Sequence, residues 1–363
     1  MTSRRHVLAW HLGALGDLIV AIPALRALRR AFRPARLMLA GHPARVALLA
    51  ACGAAQEALD GTSADLAPLF APEGPGPNGP FRSPEDGPLW LIERVRNASA
   101  VALFFEQAGP LAARLRKIAP VVLEIPPRPP PGATIHASDF LLRRTLAAIE
   151  KAAPSAQGCL APGRARDLAP ARPRLRLRPG ERREADSALG RLGLGRAGFL
   201  ALHAGSGGRA KCWPAERFLA LAGRAPSSLG LAPLLIFGPV EEESRPELIR
   251  ETASRGLLHV VSPPLPLLAA LLSRARLYVG NDSGVTHLAA AVGTPTLALF
   301  GPSDPRIFSP RPRGRHATVT TIEAGERLAA LGVEDVLFAA RSALEQSRSR
   351  CRTQPGPPSL SIP

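Results

Sequence analysis

The sequence has 363 residues, which is too many for one ordinary domain and enough for two with substantial cores. Aromatic residues make up only 4%, so those cores must consist mainly of Leu, Ala and Val. The net charge of +17 predicts an anionic partner. A single Tyr and the lack of a recognisable motif argue against nucleic acid and favour a sugar phosphate or a lipid phosphate.

Cysteine spacing and hydropathy predict a cytoplasmic protein with reduced thiols. The four cysteines show no spacing typical of a metal site. No apolar run reaches the roughly 20 residues that a membrane span requires. The apolar stretch of residues 7–28 contains Gly16, Asp17 and Pro23, and therefore reads as strand, loop and helix rather than as a signal peptide.

The first half of the chain alternates apolar runs with helical patterns. Strands are predicted at residues 6–10, 35–40, 100–105 and 120–125, and helices at residues 18–31, 44–51, 111–118 and 138–150. This alternation predicts a parallel sheet covered on both faces. The Pro- and Gly-rich residues 71–88 are predicted to form a surface loop.

A second alternation follows the Pro- and Arg-rich residues 161–183, where an edge strand with solvated arginines is expected. Further strands are predicted at residues 199–203, 233–237, 257–261, 276–279 and 296–300. We therefore predict an α/β protein with two Rossmann-like domains, residues 1–170 and 171–346, and a disordered tail over residues 347–363. Ligands are expected at the carboxyl ends of the strands, in a cleft between the domains.

The first strand leads into a loop that contains Gly13, Gly16 and Asp17. Its spacing departs from the G-x-G-x-x-G fingerprint of dinucleotide-binding proteins. Asp17 stands where the strand ends and a helix begins. It is a candidate general base toward a bound hydroxyl, and equally a residue that caps the helix.

A second loop, residues 203–218, combines small residues around Ser206 with Lys211. Its run of accessible backbone N–H groups suits phosphate oxygens, and a lysine supplies a mobile charge for the same oxygens. Lys211 stands out because the chain otherwise uses Arg almost everywhere. Trp213 is predicted to be structural.

A third segment places Glu241 and Glu242 after Gly238, at a predicted helix start. Acids there complement the helix dipole, or they accept hydrogen bonds from ribose hydroxyls. Either glutamate is a candidate for the ribose contact.

The fourth segment runs from Asn281 through a turn into a helix that carries His287. The N–H groups from Ser283 to Thr286 are predicted to form an anion site at the start of this helix. His287 falls on the first turns and is a candidate for the same pocket, although a lone helical His is more often a core or surface residue. The loop at residues 300–305 is expected to line the same cleft.

Together the four segments, residues 11–29, 203–218, 237–242 and 279–305, resemble glycosyltransferase family 9, the heptosyltransferases of lipopolysaccharide biosynthesis. The resemblance implies the GT-B fold, in which two Rossmann-like domains face each other. It implies inverting transfer of a sugar, with ADP-heptose as the expected donor and a lipid-linked glycan as the acceptor. It also implies that neither a metal nor a cofactor is required, and the sequence has no D-x-D motif.

By this resemblance Asp17 takes the position of the general base, with Gly13 and Gly16 in the acceptor-side loop. Lys211 matches the lysine that neutralises donor phosphates, and Glu242 best matches the acid that contacts the ribose. The predicted donor-binding set is completed by Ser206, Asp282, Ser283, Gly284 and His287.

Two positions depart from the family pattern, and two other protein classes remain open. His11 stands where many heptosyltransferases have Arg, and Val285 where they have Pro. Residues 54–131, where acceptor contacts are expected, match no motif. A non-catalytic nucleotide-sugar-binding relative is the main alternative, and the missing fingerprint disfavours an NAD-dependent dehydrogenase. The positive charge also predicts peripheral contact with an anionic membrane on its cytoplasmic side.

Overall fold

The computed structural model describes residues 6–32, 36–70, 88–154, 172–195, 198–313 and 317–352. The chain forms two compact units, Met1–Arg178 and Pro179–Pro363. Most of the predicted surface loop, residues 71–87, lies outside the described residues, as does the linker up to residue 171. Among the described residues, neither Cys52 nor Cys212 forms a disulfide.

The first unit contains a parallel sheet in the order β3-β2-β1-β4-β5. Its strands are β1 His6–His11, β2 Arg36–Gly41, β3 Glu57–Asp60, β4 Ala98–Phe104 and β5 Val122–Ile125. Every residue of β1 and β4 is buried, because helices cover both faces of the sheet. The strand order reverses between β1 and β4, which is where an open α/β sheet provides a crevice.

The helices of the first unit are α1 Leu15–Val20, α2 Ile22–Ala31, α3 Pro43–Ala51, α4 Leu89–Arg96, α5 Gly109–Arg116 and α6 Ala137–Ala152, with a 3-10 helix at Ala64–Phe70. The single helix predicted over residues 18–31 is therefore two helices that meet at Ala21. Pro23 explains the break, because its ring has no N–H to donate and collides with the carbonyl one turn earlier. Gly16 lies in the first turn of α1, not in the loop where the sequence placed it.

The second unit contains a parallel sheet in the order β11-β10-β9-β6-β7-β8. Its strands are β6 Phe199–His203, β7 Ala232–Phe237, β8 Leu258–Val261, β9 Leu277–Asn281, β10 Thr296–Phe300 and β11 Val319–Glu323. Its helices are α7 Pro179–Arg191, α8 Ala215–Leu229, α9 Pro239–Ser244, α10 Pro246–Ser254, α11 Leu265–Leu272, α12 Gly284–Val292, α13 Pro305–Phe308 and α14 Val333–Arg352. Two 3-10 helices lie at Arg209–Lys211 and Gly325–Ala330.

The C-terminal helix α14 corrects the predicted tail. It runs to Arg352, so residues 347–352 are helical rather than disordered, and the remainder of the tail lies outside the described residues. Val336, Ala340 and Ala343 on this helix are fully buried in the core of the second unit. Burial of this apolar stripe stabilises a helix whose C-terminal turns are polar.

Residues 172–178 of the arginine-rich segment belong to no helix or strand, so they do not form the edge strand that we predicted. Leu175 and Leu177 are buried, while the arginines between and beside them are exposed. The guanidinium of Arg26 on α2 donates a hydrogen bond of 2.7 Å to the carbonyl of Arg174. The segment thus has the alternating burial of a strand, but its polar backbone pairs with helix-borne groups rather than with a sheet.

Within the part of the chain that the structure describes, no helix combines the length and apolarity that crossing a membrane requires.

Candidate functional site

In the second unit, the candidate residues gather where the parallel strands end. Ser206 and Lys211 follow β6, Glu242 follows β7, and Asp282 follows β9. The strands β6 and β9 are neighbours in the sheet. After β6 the chain continues to β7 toward one edge of the sheet, and after β9 it continues to β10 toward the other edge. A crevice for a ligand is expected at such a reversal. The tertiary fold thus brings together segments that are far apart in the sequence.

The centre of this edge is an ion pair between two predicted donor-site residues. Lys211 Nζ lies 2.9 Å from Asp282 Oδ2, with the Asp282 side chain largely buried and 40% of the Lys211 side chain exposed. Ser303, in the loop after β10, donates a hydrogen bond of 2.7 Å to the same carboxylate oxygen. Asp282 therefore holds Lys211 at the strand edge, and the exposed side of the ammonium remains accessible to an anion.

Asn281 joins the loops around this ion pair, and sequence reasoning assigned it no role. Its side-chain oxygen accepts a hydrogen bond of 2.9 Å from the Trp213 N–H, and its amide nitrogen donates one of 2.8 Å to the Ala204 carbonyl. Ser206 Oγ also donates to the Asp282 carbonyl at 2.6 Å. Because Asn281 is fully buried, these contacts fix both ends of the glycine-rich loop.

The segment after β9 forms an N-terminal helix cap of the kind that the sequence predicts. Ser283 is the N-cap of α12, and its hydroxyl accepts from the Thr286 N–H at 3.4 Å. The hydroxyls of Thr286 and Tyr278 lie 3.0 Å apart in the interior, and burial raises the pKa of Tyr278 far above its ordinary value. The N–H groups of Gly284 and Val285 belong to the first turn, where the helix itself provides no acceptors.

His287 lies on the first turns of α12 and is buried, with 8% of its surface exposed. Its predicted contact with the donor remains a prediction, since a buried helical His also has ordinary structural uses.

The two glutamates after β7 have different environments. Glu241 is buried, and its carboxylate accepts the N–H of Gly238 at 2.8 Å, closing the first turn of α9. Glu242 is exposed, and one of its oxygens accepts a hydrogen bond from the Ser262 hydroxyl at the end of β8. The structure therefore favours Glu242 as the carboxylate that a ligand could reach.

The glycine-rich loop rests directly on Glu241. A β-carbon at Gly205 would lie 2.1 Å from Glu241 Oε1 and 2.9 Å from the ring of His203. His203 is itself buried, with Nε2 3.8 Å from Glu241, and burial lowers its pKa although the carboxylate acts in the opposite direction. Only glycine permits this close approach of backbone and buried carboxylate.

In the first unit, Asp17 lies at the reversal between β1 and β4 and is half-buried. It is the third residue of α1, and its Oδ2 accepts the N–H of Ala14 at 3.0 Å. Oδ1 has no hydrogen-bond donor among the described residues. Asp17 is therefore not the N-cap residue of α1, which is Ala14; it closes the first turn from the third helical position and uses only one carboxylate oxygen.

His11 ends β1 beneath this turn and is completely buried. Its ring stacks on Phe104, with the centroids 5.3 Å apart, and Nδ1 accepts the Gly13 N–H at 3.0 Å. Burial lowers the pKa of His11 to about 4, although the Asp17 carboxylate acts in the opposite direction. The ring is therefore neutral near pH 7.

Residues 54–131, which matched no motif, contribute side chains to the same edge of the first unit. Phe70 and Phe105 pack around the buried Trp10, with their ring centroids 5.6 and 6.2 Å from it. Arg128 and Glu106 form an exposed ion pair of 3.2 Å beyond β5 and β4. No short motif could have indicated these residues, because they are neighbours only in the folded sheet.

The fold and these strand edges define an α/β protein in which each of two parallel-sheet units carries a polar site at its carboxyl edge. Residues 162–330, slightly less than half of the chain, match the model of glycosyltransferase family 9 (heptosyltransferase). The chain is 35% identical to lipopolysaccharide heptosyltransferase 1 of Escherichia coli (strain K12) over 101 residues, 27% of this chain and 30% of that relative. Sequence similarity to such curated relatives thus spans about three tenths of their length.

Solved structures support the fold over nearly the whole chain. A glycosyltransferase family 9 protein from Veillonella parvula has a TM-score of 0.67 at 20% identity, covering 95% of this chain and 98% of that chain. The complex of the E. coli heptosyltransferase WaaC with ADP has a TM-score of 0.60 at 18% identity, covering 93% and 99%. This chain is therefore a protein like the heptosyltransferases of glycosyltransferase family 9. The predicted two-unit α/β fold class is confirmed.

Proposed function

We propose that the chain is a glycosyltransferase that moves a heptose from a nucleotide-diphosphate donor to a lipopolysaccharide-type glycan, with inversion at the anomeric carbon. The observation that carries the proposal is the strand edge of the second unit. There the Asp282 carboxylate binds the Lys211 ammonium and the Ser303 hydroxyl, the Asp282 carbonyl accepts from the Ser206 hydroxyl, and α12 begins directly after this residue and its N-cap Ser283. This combination of a held ammonium and free helix N–H groups suits a diphosphate.

The donor is proposed to lie with its diphosphate at Lys211 and the first turn of α12, and with its ribose at Glu242. The Lys211 ammonium has three N–H donors, and the bond to Asp282 uses one of them. A nucleotide presents a diol for Glu242 and a diphosphate for Lys211, so one ligand would use both parts of this edge. The ADP complex of a structurally similar heptosyltransferase supports an adenine nucleotide.

Asp17 is proposed to be the general base. An inverting transfer removes a proton from the acceptor hydroxyl as it attacks the anomeric carbon. Asp17 Oδ1 is available for that proton because the Ala14 N–H engages only Oδ2. The same hydrogen bond fixes the carboxylate, so that a substitution can remove the base without removing the cap.

The proposal includes independence from metal ions. Lys211 and the helix N–H groups supply the positive potential that a divalent cation supplies elsewhere for a departing diphosphate. We expect turnover to survive an excess of EDTA. Loss of turnover that added Mg²⁺, Mn²⁺ or Fe²⁺ restores would contradict this part of the proposal.

Peripheral contact with an anionic membrane is also proposed, and a groove in the first unit supports it. Arg116, Arg144 and Lys151 line one groove between β5 and α6, with Glu124 as the acidic residue that Arg116 binds. Basic residues near anionic lipid contribute about 1 kcal/mol each. Binding to vesicles containing phosphatidylglycerol should fall when all three are changed to Glu, and should fall with salt. Equal binding by both proteins would reject this groove as the contact.

The decisive experiment combines binding and turnover. Thermal shifts with ADP, GDP, UDP and adenosine should give the largest stabilisation with ADP, because binding to the folded state raises its stability. ADP release from ADP-heptose should then require cell-envelope glycolipid, and mass spectrometry should find the heptosyl product. ADP binding without any turnover would support the alternative of a non-catalytic nucleotide-sugar-binding protein. Absence of nucleotide binding would reject both functions.

A further inference from the structure

Three side chains hold the backbone of the turn between β1 and α1. The Gly13 N–H donates to His11 Nδ1 at 3.0 Å, and the Gly13 carbonyl accepts from Arg45 Nη1 at 3.0 Å. The next N–H, that of Ala14, donates to Asp17 Oδ2, also at 3.0 Å. Both polar groups of Gly13 and the amide that orients Asp17 are therefore engaged by side chains.

The turn has little room to move. A β-carbon at Gly13 would lie 2.5 Å from His11 Cε1 and 2.8 Å from Asp17 Cβ. The His11 ring is held between this backbone and Phe104, on which it stacks with an interplanar angle of 29°. The Gly13 backbone is thus packed against the His11 ring and against the Asp17 side chain of α1.

If His11 served only to fill the core, it would be a less stable choice than an apolar side chain of similar size. Its Nδ1 accepts a hydrogen bond, so the proton of the neutral ring resides on Nε2. That buried Nε2 has no hydrogen-bond partner among the described residues. A buried N–H without a partner destabilises a folded protein, whereas an apolar side chain of similar size does not carry this cost. The benefit of His11 must therefore come from the group that it does bind, the Gly13 N–H.

We propose that His11 and Arg45 are positioning residues that clamp the Gly13–Ala14 peptide and thereby orient the Asp17 carboxylate toward the acceptor hydroxyl. This inference rests on the proposed role of Asp17 as general base. His11 acts as a hydrogen-bond acceptor and does not touch the substrate. An Arg at position 11 has no acceptor atom and could not form the contact with the Gly13 N–H.

The test uses the full chain with four variants and one control. His11→Asn keeps an acceptor near the position of Nδ1, His11→Leu removes it, and Arg45→Met removes the contact with the Gly13 carbonyl. Asp17→Asn reports on the proposed base. Arg143→Met, on an exposed position of α6, is the control for loss of one positive charge. The readouts are kcat, donor Kd and hydrogen–deuterium exchange of peptides that span residues 11–17.

We expect His11→Leu and Arg45→Met to lower kcat by about ten- to hundredfold, as misplaced catalytic groups do, with donor Kd unchanged. Exchange across residues 11–17 should rise in the same two variants. His11→Asn should keep most of the kcat and the exchange protection, and Arg143→Met should match the parent protein. If His11→Leu does not fold by circular dichroism, the half-exposed Arg45 carries the test with the same expectations.

Failure of the clamp and failure of the proposed function give different results. If Asp17→Asn retains turnover, Asp17 is not the base and the positioning role fails with it, whatever the exchange data give. If Asp17→Asn loses turnover while His11→Leu and Arg45→Met keep both kcat and exchange protection, the clamp is overturned alone. A kcat of His11→Asn as low as that of His11→Leu would also overturn it, because the acceptor atom would then be irrelevant.

Discussion

The two units of this protein place an aspartate near the same topological position but give it different surroundings. At the carboxyl edge of the first unit, a neutral buried histidine and backbone hydrogen bonds surround Asp17, whose second oxygen has no described donor. At the carboxyl edge of the second unit, Asp282 is paired with Lys211 and with the hydroxyl of Ser303. One edge therefore keeps a carboxylate available, and the other uses a carboxylate to hold a cation.

The difference shows how the environment sets the role of an aspartate. Asp17 accepts one described hydrogen bond and leaves an oxygen for a ligand hydroxyl, whereas the Asp282 carboxylate is engaged by Lys211 and Ser303. Sequence position alone does not separate Asp17 from Asp282, because both follow a strand and lie near the start of a helix.

The largest effect is expected from Asp17→Asn. The amide oxygen can still accept the Ala14 N–H, so unfolding free energy and donor affinity should change little. Turnover should fall by at least roughly a hundredfold, because general-base catalysis is typically worth about 10² to 10⁴ in rate. Steady-state ADP release and a thermal melt measure both quantities. Nearly intact turnover would leave Asp17 as a helix cap and remove the contrast with Asp282.

The second experiment measures how strongly protonation of the buried His11 destabilises the folded protein. Its pKa in the folded protein, about 4, lies below the ordinary value of 6.5, so the unfolded chain binds the proton first as the pH falls. The contribution of His11 to the free energy of unfolding is therefore fully present above pH 6.5. It is lost as the pH falls from 6.5 to 4, by on the order of 3 kcal/mol. In denaturant unfolding, the free energy of unfolding of His11→Asn should fall less than that of the parent protein over this pH interval.

His42, at an exposed position, provides the control for the loss of a histidine side chain. His42→Asn should retain the pH dependence of the parent protein. If the free energy of unfolding changes with pH in the same way in the parent protein and in His11→Asn, then the fold does not hold His11 neutral.

The third experiment tests the cation of the second unit. Lys211→Ala should weaken ADP binding by about ten- to hundredfold, as expected when a charge-assisted hydrogen bond worth about 1.5–3 kcal/mol is lost. It also leaves the Asp282 carboxylate close to the phosphates, so the added change Asp282→Asn should restore part of the affinity. Calorimetric titration with ADP and with adenosine separates phosphate from nucleoside recognition.

Adenosine affinity should be unchanged in Lys211→Ala, and Lys151→Ala should bind ADP like the parent protein. If Lys211→Ala weakens adenosine and ADP equally, Lys211 supports the loop rather than the diphosphate.

The smallest effect concerns the loop that covers Glu241. Gly205→Ala should cost about 1–2 kcal/mol of unfolding free energy, because its new methyl group collides with the buried carboxylate. Gly207→Ala, two residues along the same loop, is the control, since a β-carbon there meets no atom within 4 Å. Chemical denaturation compares the two. Equal stability of both variants would mean that the loop is not seated on Glu241.

The sequence by itself predicted most of the buried framework. The strands β6 and β10 have the predicted bounds, because a central parallel strand is an uninterrupted apolar run. The strands β3 and β11 were missed, since edge strands such as Glu57–Asp60 and Val319–Glu323 are half-exposed and mix polar with apolar residues. The helix break at Ala21 was missed although Pro23 was noted, because the local apolar pattern continues through it.

The residue types of the site were also legible in the sequence, because glycine-rich turns, helix starts and a rare lysine carry local chemical meaning. Only the tertiary structure paired Lys211 with Asp282 across 71 positions and placed Ser303 on the same oxygen. It also gave the two glutamates different environments, burying Glu241 against Gly205 and leaving Glu242 exposed. The physical reason is that local pattern determines where strands end, whereas charge pairing and burial depend on which strand ends become neighbours in the sheet.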